Sequence, residues 1–209
     1  MAFLNPISIV VRTTLLGLVA SAACFAQLTS FERDFALSNL YASEKLFLDS
    51  VEGLSPAQLN FKAAPNRWSI AECAEHITLA EDYIFLGVIT NGVMKTPLVA
   101  NRKVTLADDE KILAAMANRS KKFPAPEPIQ PTAGRFASVE EAVAHFRESR
   151  ARLLDYVRTS QDDLRHHVLP HPAGFTLDGY QWILMLSGHT ERHVAQIQEV
   201  KADPNFPRN

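Results

Sequence analysis

The chain has 209 residues, with 21 Lys and Arg set against 23 Asp and Glu, for a net charge of −2 with its 7 histidines neutral. That balance, without a basic stripe, excludes a nucleic-acid surface, which needs clustered cations to neutralise phosphates. Only two cysteines occur, Cys24 and Cys73, and since Cys24 lies in an apolar leader, a disulfide framework is excluded as well.

Residues 1–26 stand apart. Arg12 is the only charge before Glu32, the apolar run Thr13–Ala20 follows it, and small residues lead into Cys24-Phe25-Ala26. This is the order of a secretory signal, with cleavage expected after Ala26. The apolar core is short for a membrane span; an uncleaved anchor or a core helix is the competing reading. Ser21 stands where a lipoprotein signal acting through Cys24 would place Leu. The expected mature chain is 27–209, one domain exported to the periplasm or the extracellular space. No stable membrane span is expected after cleavage, and Cys73 would then be the only cysteine.

The first helical pattern covers about Ser30 to Val51, with Phe31, Phe35, Leu40, Phe47 and Val51 among its apolar positions. Leu54-Ser55-Pro56 ends it, and Pro65-Asn66-Arg67 breaks the chain again. Ser69 with Glu72 three residues on is a capping box, opening a second helix to about Thr90 whose buried side carries Ile70, Ala74, Ile77, Ile84 and Val88. Asn91-Gly92 stops it. The insert 91–137 is poor in pattern: a short helix is expected near Asp108 to Lys121, and Pro124, Pro126, Pro128 and Pro131 follow, none of which fits inside a helix. Ser138 with Glu141 opens a third long helix to about Ser160. A loop holding His166, His167, Pro170, His171, Pro172 and Gly174 leads to a fourth, from about Leu177 to Lys201. No strand-like alternation competes with these assignments.

The expected fold is therefore an all-α four-helix bundle. The connection between the second and third long helices is about 47 residues, far beyond an ordinary helix–helix link. Such a link can cross the whole bundle, so the topology expected is up-down-down-up.

His189 and His193 are one turn apart on the fourth helix and share a face with Trp182, Leu186, Ile197 and Val200. Two imidazoles in an apolar stripe need partners for their ring nitrogens, and a metal ion with an outer acceptor would supply both. Paired histidines also occur on solvated helix faces. His76 adds weight to the metal reading, because it lies on the inward face of the second helix. It sits about 10 Å from the start of that helix, and His193 about 12 Å from the end of the fourth, at the α-helical rise. In antiparallel helices these levels coincide. Three neutral imidazoles form the donor set of catalytic zinc with a coordination position open. Zinc or nickel is the expected ion, although iron and copper also accept imidazole.

Other side chains are weaker candidates. Glu191 is two residues past His189 and turns away from the shared face. Glu72 lies one turn before His76, where it can serve the site from outside the ligand set or act as a base; its capping role explains it equally. Cys73 fits a small buried thiol. His166, His167 and His171 form a loop cluster that could take a metal adventitiously, and His145 reads as a solvated helix position.

The segments Leu54-Ser55-Pro56-Ala57-Gln58-Leu59, Trp68-Ser69-Ile70-Ala71-Glu72 with His76, and His171-Pro172 leading to Gly188-His189-Thr190-Glu191-Arg192-His193-Val194-Ala195-Gln196-Ile197 resemble the DinB-like superfamily, a group associated with metal-dependent enzymes. Their order and spacing cover nearly all of the mature chain. The resemblance implies the bundle, its long crossover and a three-histidine site at His76, His189 and His193. Gln196 matches a recurrent position beside the last ligand, which implies a role in supporting it. The activities implied are those of a hydrolase or of a thiol-type transferase. An export signal departs from the second, since low-molecular-weight thiols are kept reduced in the cytoplasm. A non-catalytic metal- or ligand-binding module is the alternative. The expected partner is a small-molecule substrate, and a homodimer is the one assembly considered.

Overall fold

A computed structural model describes residues 27–132 and 134–208; the expected signal segment lies outside them. Each bundle helix starts where a short polar side chain can take up an orphan backbone N–H. Thr29 caps α1 (Ser30–Val51) in a full capping box with Glu32. Ser55 and Gln58 do the same for the short α2 (Pro56–Asn60), with Pro56 in the first turn, where its missing N–H costs nothing. Ser69 and Glu72 cap α3 (Ile70–Asp82). That helix runs on through widened π-type turns over Tyr83–Thr90, and the Asn91 N–H reaches back five residues to the Leu86 carbonyl. Thr105 caps α4 (Leu106–Ala117) and Ser138 caps α5 (Val139–Thr159).

The last helix differs from expectation in its start. Asp178 and Gln181 form a capping box for α6 (Gly179–Lys201), so Leu177 lies outside it. Leu177 belongs instead to a small hairpin absent from the sequence reading: β1 (Val168–Pro170) pairs antiparallel with β2 (Thr176–Asp178). Strands of three residues are too short to display an alternating pattern. Of the apolar positions of α1, Leu40, Phe47 and Val51 are buried, whereas Phe31 remains 58% exposed and stacks on Phe35.

Cross-helix contacts fix the directions. Arg33, near the start of α1, donates to the Val157 and Ser160 carbonyls at the end of α5. Phe47, late in α1, meets Phe146 near the start of α5 edge to face, at 4.8 Å. A single apolar cluster joins Phe47 and Val51 to Ile70, Cys73 and Ile77 of early α3, to Phe146, and to Val194, Ile197 and Val200 of late α6. Hence α1 and α6 run one way, α3 and α5 the other, which is the up-down-down-up order. By length and composition alone, Ile70–Lys95 is apolar enough to cross a membrane. In the fold Ile70, Ala74, Ile77, Ile84 and Ile89 are core residues instead.

Two polar networks lock this frame. At the bundle centre Arg150, fully buried, makes paired bonds to Glu81 at 2.5 and 2.9 Å and donates to the Leu40 carbonyl at 2.5 Å. Nearer the loops, Arg165 bridges Glu32, Asp109 and Asp178 and lies 4.0 Å over the Tyr180 ring. This second network ties the hairpin and α4 to α1 and α6. It holds the start of the insert against α6, on which α4 packs so closely that a Cβ at Gly188 would meet the Leu113 carbonyl oxygen at 2.8 Å.

Candidate metal centre

Because α3 and α6 are antiparallel, His76 comes level with His189 and His193. Their ring centroids are 4.4–5.0 Å apart, and one ring nitrogen from each lies within 4.8 Å of the others. His76 and His193 are buried, and His189, although some of its residue surface is uncovered, has a ring removed from solvent like theirs. A tetrahedral ion with nitrogens at roughly 2.0–2.1 Å spaces its donors by about 3.4 Å. The trio therefore needs only a small contraction to fit one.

The outer partners show which nitrogens are free. His76 Nδ1 lies 2.6 Å from the Ile129 carbonyl oxygen, and a carbonyl can only accept, so Nδ1 carries the proton. His76 Nε2 then holds a lone pair, and it faces His189 Nε2 at 3.2 Å. Something positive, either a proton or a cation, must lie between them. His193 Nδ1 bonds the Gln196 side-chain oxygen at 3.0 Å, which turns its Nε2 lone pair inward too. The donor set suits a divalent ion: neutral nitrogens converging, each supported ring oriented by a neutral acceptor.

Burial pushes the His76 pKa down to about 4. His189 and His193 are also held well below the ordinary histidine value, by burial first and by neighbouring imidazoles next. Among the described residues no carboxylate bonds any of the three, and the neutral acceptors at Ile129 and Gln196 offset only part of the cost of charging His76 and His193. All three are thereby held in the neutral form that coordination requires.

The remaining sequence candidates are placed as follows. Gln196 contacts His193 as above. Glu72 is engaged elsewhere: its carboxylate accepts from the Ser69 N–H at 2.8 Å and pairs with Lys62 at 2.7 Å. Cys73 is buried below the trio, and desolvation pushes its thiol up, so it stays protonated. Glu191 is half-buried with its carboxyl pushed upward by that burial. His166 bonds Asp163, His167 bonds the Thr96 carbonyl, and His171 packs against Trp182 at 5.1 Å. That loop cluster does not converge on one point. His145, far from solvent-only, pairs with Asp82 at 2.6 Å.

Sequence reading missed three contributors. Trp68 covers two of the three, its ring 4.8 Å from that of His76 and 5.7 Å from that of His193; its place just before the Ser69 cap was the available signal. The Ile129 carbonyl leaves no sequence signal, being backbone. Arg119 donates to the Gln196 oxygen at 3.1 Å from the insert, just past the end of α4.

A model of the DinB superfamily matches residues 39–197, a span containing all three histidines. An uncharacterised protein of Bacillus subtilis strain 168, YuaE, is 28% identical over 153 residues, covering 73% of this chain and 89% of the relative. Among solved structures, YfiT of Bacillus subtilis, described as a probable metal-dependent hydrolase with an unusual four-helix bundle topology, superposes with a TM-score of 0.53 at 14% identity. The match covers 87% of this chain and 93% of that one. At that identity the likeness establishes the shared fold.

Proposed function

The chain belongs to the DinB superfamily, and on that premise we propose that it is a metal-dependent enzyme whose His76, His189 and His193 hold one divalent ion, zinc or nickel. The observation that carries this reading is the convergence of three ring nitrogens within 4.8 Å, two of them turned inward as lone pairs by their outer partners. When bound, such an ion supplies Lewis acidity to a water or thiol at the coordination position that three protein ligands leave open.

The chain's own residues do the rest. Ile129 and Gln196 orient His76 and His193, while Trp68 and the insert keep water from two of the rings. Hydrolysis is the activity favoured first, supported by the description of the Bacillus subtilis structural neighbour; thiol-type transfer is the other chemistry such a centre serves. One observation favours a second reading, a non-catalytic metal- or ligand-binding module: among the described residues, no carboxylate contacts the trio to act as a base.

Loading the purified protein with zinc or nickel and assaying ester, amide and thiol-transfer substrates separates these. Turnover that is lost with chelator and in His193→Ala supports the enzyme. A tightly bound ion whose four positions are all filled by side chains, as read by X-ray absorption at the metal edge, with no turnover, supports the module.

A further inference from the structure

We infer that Arg119 is a positioning residue for the metal centre: it fixes the Gln196 amide and, through it, the tautomer of His193. The inference rests on the proposed metal role of His193. An amide side chain presents an oxygen or an NH2 group depending on its flip, and the two faces are nearly isosteric. If Gln196 offered its NH2 group to His193, the ring would have to accept at Nδ1. Its proton would then move to Nε2 and block the inward lone pair.

Arg119 removes that choice. A guanidinium only donates, and Arg119 Nη1 lies 3.1 Å from the Gln196 oxygen. The oxygen must face the arginine, so the same oxygen faces His193 Nδ1 at 3.0 Å and Nδ1 must be the donor. Arg119 is itself held rigidly. Its Nε and Nη2 make a two-pronged bond to Glu199 at 2.7 and 3.0 Å, and Arg67 binds the same carboxylate at 2.9 Å. Arg192 donates to the Asn118 and Lys121 carbonyls, clamping the backbone on both sides of Arg119. The insert thus reaches the centre at His193 through Arg119, as it does at His76 through Ile129.

Charge and position act in opposite directions here, which makes the role testable. Deleting a cation beside a divalent-ion site, and leaving Glu199 without that partner, should tighten metal binding if Arg119 acts only through its field. A positioning role requires weakening, on the order of 10–100-fold as for other outer partners of ligating histidines.

The test measures zinc affinity and, on the metal-free protein at pH 8, the His193 tautomer by long-range 15N–1H correlation. Wild type, Arg119→Ala, Arg119→Lys, Gln196→Ala and the Arg119→Ala/Gln196→Ala double variant are compared. The expected results are an Nδ1-protonated His193 in wild type, a tautomer mixture in Arg119→Ala with zinc binding at least about tenfold weaker, and no further loss in the double variant. Arg119→Lys keeps the charge and guards against a misfolded alanine variant; its single point donor should restore only part of the affinity. Unchanged tautomer with equal or tighter zinc binding in Arg119→Ala overturns the inference, as do additive losses in the double variant. A wild type that binds no zinc overturns the metal reading instead, while the metal-free tautomer measurement still decides the role of Arg119.

Discussion

His76 Nδ1 lies 2.6 Å from the carbonyl oxygen of Ile129, 53 positions further along the chain. This bond joins the inner face of α3 to the long insert and leaves the other ring nitrogen of His76 pointing at His189. The crossover segment is therefore part of the centre as well as a connection. Glu75, the neighbour of His76, reinforces the junction by accepting from the Thr132 N–H at 2.9 Å.

The central ion pair should be costly to break and cheap to replace. Arg150→Met leaves Glu81 charged and buried, with an expected loss of about 3–5 kcal/mol in denaturant unfolding. Arg150→Met with Glu81→Leu should recover most of that loss. Equal instability of the single and double variants would show that Arg150 acts through packing alone.

Gly188→Ala tests the seat of α4 on α6. The added Cβ would meet the Leu113 carbonyl oxygen at 2.8 Å and Met116 Cβ at 3.0 Å, both on a helix that cannot easily give way. A destabilisation of about 1–3 kcal/mol is expected, despite the gain in helix propensity. A more stable variant would mean that α4 is loosely docked.

Metal-free protein should lose stability as pH falls. His76 titrates near 4 in the fold against 6.5 when unperturbed, and His189 and His193 are shifted the same way. Between those values the unfolded chain binds protons that the folded chain refuses, so stability is fully present above about pH 6.5 and declines toward pH 4. Thermal melts of chelator-treated protein across that window should show the decline, and His76→Phe should reduce it. A flat profile would mean that the three rings charge freely in the fold.

The leader is the part of the sequence reading that the fold does not reach. If Ala26 precedes the cleavage site, exported material begins at Gln27, which N-terminal sequencing reads directly. Recovery of full-length protein from the cytoplasm would remove the export proposal.

The bundle was legible because its signals are local. Ser69 with Glu72 and Ser138 with Glu141 mark helix starts within a residue, and the 47-residue gap between helices is long enough to cross the bundle. His76, His189 and His193 were legible because helical spacing and antiparallel direction place them at one level. What stayed hidden depends on long-range geometry. The Ile129 carbonyl is backbone and carries no side-chain signature. Arg119 falls in the insert just past the end of α4, where the helix expected to reach Lys121 stops at Ala117, and its partner Gln196 is 77 positions away. The hairpin over Val168–Asp178 is too short to alternate, although Asp178 and Gln181 did spell out the capping box that would have moved the start of α6.

The measurement that bears most directly on the centre is metal content per chain in the native protein and in His76→Ala, His189→Ala and His193→Ala, with helicity followed in parallel. The expected result is about one divalent ion per native chain, reflecting three ligands around one position, and loss of most of it in every variant while the helical signal persists. Stoichiometric metal in any one of the variants, or none in the native protein after incubation with zinc or nickel at pH 8, would contradict the three-histidine centre.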